Sequence, residues 1–166
     1  MEKELILAPG TLITSKTDLK GKITYCNKDF LHYALYEEQE LLNKPHNIIR
    51  HPDMPKAVFK LLWDYIQNGK EIFAFVKNKN KYGDFYWVFA NITPSYDSEN
   101  KIIGYYSVRR KPNQKAIEQI SGIYKQMLEA EKLGGMSAGA KIIQDICESL
   151  GKSYNQIVLE MQKDLK

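Results

Sequence analysis

Residues 71–110 read EIFAFVKNKNKYGDFYWVFANITPSYDSENKIIGYYSVRR. Three runs within it, EIFAFVKNK (71–79), GDFYWVFANITP (83–94) and IIGYYSVRR (102–110), are rich in aromatic and β-branched residues, the types that fit a pleated, half-buried surface. Tyr82-Gly83-Asp84 and Asp97-Ser98-Glu99-Asn100 punctuate them with turn-forming chemistry. The pattern predicts three long antiparallel strands in a meander.

Upstream, LITSKTDLKGKITYC (12–26) reads as two short strands around a Lys20-Gly21 turn. Asn27 is an N-cap for the short helix KDFLHYA, with Phe30 and either Tyr33 or Ala34 inward, and YEEQELLNKP holds a second short helix stopped by Pro45. Pro55, at a first-turn position, opens a longer helix whose apolar face is Val58, Phe59, Leu62, Trp63 and Ile66; Asn68-Gly69 ends it. Strand, strand, short helices, longer helix and three long strands describe an α+β domain: one five-stranded antiparallel sheet with its short helices on one face.

After Pro112 the period becomes helical. Ile117, Ile120, Tyr124, Met127 and Leu128 form one stripe, ending near Gly134-Gly135. Ile143, Cys147, Leu150, Tyr154, Ile157 and Met161 follow at heptad-like steps, with Gly151 placed to split the helix. The chain thus divides into an N-terminal cap segment (1–10), a core domain (11–112) and a helical extension (113–166). The extension either packs on its own sheet or serves docking or dimerisation.

Bulk composition narrows the function classes. A 166-residue chain with 43% hydrophobic and 11% aromatic residues can bury a core. Its net charge of +4 comes from scattered lysines, too little clustering for a nucleic-acid arm. Lys77, Lys79, Lys81, Arg109 and Arg110 lie near Tyr86 and Trp87, but aromatics of a half-buried sheet face a core or a ligand more often than a nucleic acid. Cys26 and Cys147 form no CxxC pair, which argues against a zinc knuckle or a disulfide scaffold and fits a reducing cytoplasm. The N-terminus is too short and acidic for a secretory signal, and no apolar run approaches the roughly 20 residues of a membrane span.

Chemistry-bearing motifs are few. PHNIIRHPDMP (45–55) crowds His46, Arg50, His51 and Asp53 at the entrance of the longer helix. His46 and His51 lack the partners of a closed zinc site, although one histidine suffices for haem. No GxSxG elbow occurs, and Ile146 stands where the phosphate-loop reading of Gly151-Lys152-Ser153 needs a glycine. Asn78 and Asn91 interrupt apolar strands. If they face inward their amides need partners, such as a heterocycle with alternating donors and acceptors; otherwise they face solvent or backbone.

PHNIIRHPDMPKAVF, VKNKNKYGDFYWVFANITP and IIGYYSVRRKP together resemble the Aer-type PAS domain, the flavin-binding sensor of bacterial aerotaxis and energy taxis, over Thr11 to Pro112. The specific part is N-x-x-R-H-P-D-M-P followed by V-K-N and then G-D-x-Y-W-V. The size and helical tail are similar to CetB-like stand-alone forms. The resemblance implies a PAS fold with FAD held between sheet and helices. By matching positions it implies that Arg50, His51, Asp53 and Trp63 are needed for FAD binding, and that His46, Asn27, Asn78 and Asn91 line the flavin cavity or touch the cofactor. Trp63 read as plain core, Asp53 as a helix cap, and an Arg50–Asp53 pair are the competing structural readings. The chain departs from the family at Glu71-Ile72, where Pro-Trp is common.

The implied protein is a non-enzymatic redox sensor in which reduction of the ring reorients an amide such as Asn91 or Asn78. Its expected partner is a membrane receptor of the methyl-accepting chemotaxis type, touching the sheet or the extension. A homodimer is left open, and neither nucleic acid nor direct membrane insertion is expected. The expected location is the cytoplasm, with recruitment to the inner membrane through the receptor. Competing readings are a ligand-free PAS interaction module with a self-filled core, and a haem or small-metabolite sensor anchored by His46 or His51.

Overall fold

The computed structural model describes residues 1–163; the last three residues of the extension lie outside them. Strands β1 (Ile13–Thr17), β2 (Ile23–Cys26), β3 (Ile72–Lys79), β4 (Phe85–Tyr96) and β5 (Ile102–Arg110) form one antiparallel sheet in the order β2-β1-β5-β4-β3. The meander expected from residues 71–110 is β3-β4-β5. The first hairpin joins it through β1, which lies against β5, and there a Cβ on Gly104 would collide with the Thr17 carbonyl. Only glycine permits that approach.

Register decides which side chains meet. Val76 faces Val88, Asn78 faces Tyr86 and Ala90 faces Arg109 across the ladders. Because strand side chains alternate, Val76, Asn78, Ala90, Ile92, Tyr105 and Arg109 share an inner face. Phe73, Phe75, Trp87, Phe89 and Asn91 share the outer one. Helices α1 (Lys28–Ala34), α2 (Glu38–Leu41) and α3 (Lys56–Gln67), with a 3-10 turn at His46–Ile49, cover the inner face. Phe30, Leu41, Ile49, Val58 and Ile66 are buried beneath them.

The extension takes the outer face. Helix α4 (Gln114–Leu150) buries Ile117, Ile120, Tyr124 and Met127; the Tyr124 hydroxyl donates to the Phe75 carbonyl at 2.7 Å, and its ring lies 6.1 Å from Trp87. Gly135 breaks α4 with φ +72 and ψ −169, and Gly151 in the left-handed region ends it, where the sequence placed both interruptions. Helix α5 (Tyr154–Gln162) then returns to the β3 edge. There the Asn155 amide accepts from Phe73 N at 2.9 Å and donates to the Glu71 carbonyl at 3.0 Å. Ile143, Cys147, Tyr154, Ile157 and Met161 close against Ile120 and Tyr124 of the same chain. Leu150, the other residue of that seam, is exposed.

Helix α3 is capped from a distance. Pro55 is its N-cap and provides no side-chain hydrogen bond, and Asp53 does not supply the cap either. The orphan donors Lys56 N and Ala57 N instead donate to the two carboxylate oxygens of Glu131 in α4, at 2.8 and 3.1 Å. A Cβ on Gly139 would fall on that carboxylate. Glu131→Ala is expected to lower the unfolding free energy by about 1 kcal/mol, the usual cost of losing an N-terminal cap, with Glu131→Gln losing less. Urea denaturation of the two variants beside wild type measures it.

Candidate functional site

Between the inner face of the sheet, α3 and the 3-10 turn lies a cavity of about 560 Å³. That is within the range of roughly 300–1,000 Å³ typical of small-molecule sites. Its walls are mostly apolar, from Val76, Ala90 and Ile92 of the sheet and Phe59, Leu62 and Ile66 of α3. The side chains beneath α3 leave this space open. Four of the residues expected at the site line it: Arg50, His46, Trp63 and Asn78.

The 3-10 turn delivers the first two. The Arg50 guanidinium stacks on the Phe59 ring, 3.4 Å from its centroid, while its backbone bridges to Asn78 on the β3 edge. Its Nε is buried without a hydrogen-bond partner among the described residues, and burial lowers its pKa. His46 Nε2 lies 3.2 Å from Arg109 Nη1 and 3.0 Å from Ser15 Oγ. Since a guanidinium only donates, Nε2 accepts. Burial first, and then the Arg109 and Arg50 charges, push the His46 pKa down to about 3. Trp63 is half-buried, edge-on to Tyr105 at 5.5 Å and against Gly21, whose lack of a Cβ leaves room for the indole. Asn78 is 3% exposed.

The other four lie elsewhere. Asn91 is on the outer face, one residue out of phase with the cavity wall, and its amide donates to Glu71 Oε1 at 2.9 Å. Asn27 spends its side chain on backbone: it accepts from Phe30 N and Thr14 N and donates to the Leu12 carbonyl. His51 is 5% exposed, but its Nε2 meets Glu2 at 2.8 Å and its Nδ1 accepts from Asp53 N. Asp53 pairs with Lys77, not Arg50, at 2.8 Å, and that pairing lowers its pKa. This half of the crowded loop covers the open edge of β3: His51 N donates to the Lys77 carbonyl and Lys77 N to Met54 Sδ. The N-terminal segment docks beside it, with Leu5 N donating to the Phe85 carbonyl.

Arg109, weighed from the sequence only for nucleic acid, and Ser15 also line the cavity. Arg109 is 3% exposed, with Nη1 toward His46, Nη2 donating to Ser15 Oγ and Cζ 4.9 Å from the Phe30 ring centroid. Its Nε has no hydrogen-bond partner among the described residues. Alternation along β5 carries the signal that could have found it, because Arg109 is four residues from Tyr105 and so on the same face. With Arg109 and Tyr86 both buried, the basic and aromatic set considered for nucleic acid is not an exposed patch.

Comparisons with known proteins agree with this architecture. Residues 23–109 match the family model described as PAS fold. The Aerotaxis receptor of Escherichia coli (strain K12) is 42% identical over 121 residues, 73% of this chain and 24% of that protein. The chain spans about a quarter or less of the length of the curated relatives it matches. Among solved structures, the light state of the blue-light photoreceptor Aureochrome1 LOV aligns with a TM-score of 0.59 at 17% identity, covering 70% of this chain and 91% of that one. A light-oxygen-voltage domain whose mechanism was probed with a flavin analogue aligns at 0.57 and 20% identity, covering 69% and 86%. At such identities these structures speak for the fold alone. Among the described residues no helix is long and apolar enough to cross a membrane.

The depressed His46 pKa has a pH consequence. The unfolded chain takes up a proton near pH 6.5 while the folded chain leaves His46 neutral down to about 3. Its contribution to stability is therefore complete above about pH 6.5 and is lost progressively as pH falls toward 3. Urea denaturation at pH 7.5 and pH 4.5 is expected to show a smaller acid-induced loss in His46→Gln than in wild type.

Proposed function

This chain belongs to the PAS fold family, and from that premise we propose that its cavity binds FAD and that the domain is a non-enzymatic redox sensor. One observation carries the reading: a largely apolar cavity into which two guanidiniums, Arg50 and Arg109, face without a carboxylate partner among the described residues. Buried cations of that kind call for a negative complement. FAD has one in its diphosphate and another in the electron-rich edge of its ring. The 42% identity with an aerotaxis receptor supports the same choice.

Arg50 would hold the diphosphate through charge-assisted hydrogen bonds. Phe59, Leu62, Trp63 and Ile66 would exclude water from the ring, and Asn78 would meet its polar edge. When bound, FAD supplies reversible electron exchange. A change in the hydrogen-bond demand of the ring would act on Asn78, whose backbone joins β3 to the Arg50 loop, rather than on Asn91. A ligand state shifts a conformational equilibrium only through such differential contacts. Helix α3, a cavity wall, is joined to α4 through Glu131, so the extension 113–166 is the element we assign to output or dimerisation. The partner in this reading is a membrane receptor of the methyl-accepting chemotaxis type, reached from the cytoplasm. Haem is less well served, because Nε2 of His46 is taken by Arg109 and both ring nitrogens of His51 are engaged.

Fluorescence titration with FAD tests the assignment. Wild type is expected to bind, Arg50→Met and Asn78→Ala to bind about tenfold or more weakly, as loss of a hydrogen bond to a charged or buried group implies, and Asn91→Ala to match wild type. Failure of wild type to quench FAD fluorescence would remove the proposal. Equal losses in Asn78→Ala and Asn91→Ala would remove the site assignment.

A further inference from the structure

Among the residues lining the cavity is a deeply buried positive charge, Arg109, without a counter-charge among the described residues. Arg109 is more deeply buried than Arg50, and its neighbours are a hydroxyl, an imidazole and an aromatic face. The titratable groups around it are neutral at working pH. His46 is held unprotonated, burial raises the Cys26 thiol, and burial raises the Tyr86 phenol as well. Arginine cannot shed its charge inside a protein, and even here burial brings it down only to about 10. Dipoles from Ser15 and His46 solvate the guanidinium in part, leaving Nε without an acceptor among the described residues.

We infer that Arg109 is the specificity-determining residue of this cavity, selecting a ligand whose innermost edge is an acidic or carbonyl-rich heterocycle. This rests on the cavity being a ligand site, as proposed above, and deepens that reading by assigning the ring edge to Arg109. The diphosphate is the poorer match for this position. Its charge would be fully desolvated opposite one guanidinium, whereas Arg50 offers a less buried position. A carbonyl oxygen or unprotonated ring nitrogen of such an edge carries only partial negative charge, and it can accept a hydrogen bond from the guanidinium without bringing a full charge into the interior.

The test uses the full chain as wild type, Arg109→Met and Arg109→Lys, with FAD and riboflavin as probes. Riboflavin shares the ring and lacks the phosphates. Ligand-free Arg109→Met is expected to melt at or above the temperature of ligand-free wild type, because the substitution removes an uncompensated buried charge. The same variant is expected to lose affinity for FAD and riboflavin by the same factor, about tenfold or more, with Arg109→Lys intermediate. A ligand-free Arg109→Met that melts well below both wild type and Arg109→Lys would make Arg109 a structural residue and overturn the inference. So would unchanged affinity, or a loss confined to FAD, which would place the diphosphate at Arg109. If wild type binds neither flavin, the FAD reading falls, while the melting comparison still decides whether Arg109 lacks a counter-charge.

Discussion

The pairing of Val76 with Val88 and of Ala90 with Arg109 sets the whole organisation of this domain. Side chains alternate along a strand, so a slip of one residue would exchange the cavity wall for the outer face. In the observed register Asn78 and Arg109 reach the hollow beneath α3, while Phe73, Phe75, Trp87 and Phe89 make the apolar surface on which α4 and α5 settle. One constraint therefore supplies both a ligand-sized cavity and the seat of the extension.

Cavity and extension are not independent. The helix that walls the cavity begins at Pro55 without a cap of its own and receives one from Glu131. The crowded loop before it has two jobs on two sides. His46 and Arg50 turn inward, while His51, Asp53 and Met54 close the β3 edge against other chains. Any rearrangement of the cavity that moves this loop or α3 is felt at the sheet edge and at α4 through hydrogen bonds that are already in place.

Much of the fold was legible because local chemistry and period agreed. The Asn27 cap, the left-handed Gly69 and the breaks at Gly135 and Gly151 all fell where the sequence put them. The five strands were readable from aromatic and β-branched runs. The site was only half legible. Asn78 and Asn91 look alike in sequence, but thirteen residues separate them across a turn, and only register tells which faces inward. Asn27 and Asp53 could be matched to a family motif, yet backbone donors and Lys77 claim their side chains. Arg109 was weighed only for nucleic acid because adjacent arginines, Arg109 and Arg110, carry no mark of which is buried until β5 is paired. The Glu131 cap lies some 75 residues from the donors it satisfies, beyond the reach of any local rule.

The central claim is that the hollow under the sheet is completed by a flavin. The visible absorption spectrum of the purified chain, after incubation with FAD and removal of the excess, addresses it most directly. The account predicts retained absorption in the blue with the shape of a protein-bound flavin. A protein that emerges colourless, or that instead shows an intense Soret band from a haem it already carries, would contradict it.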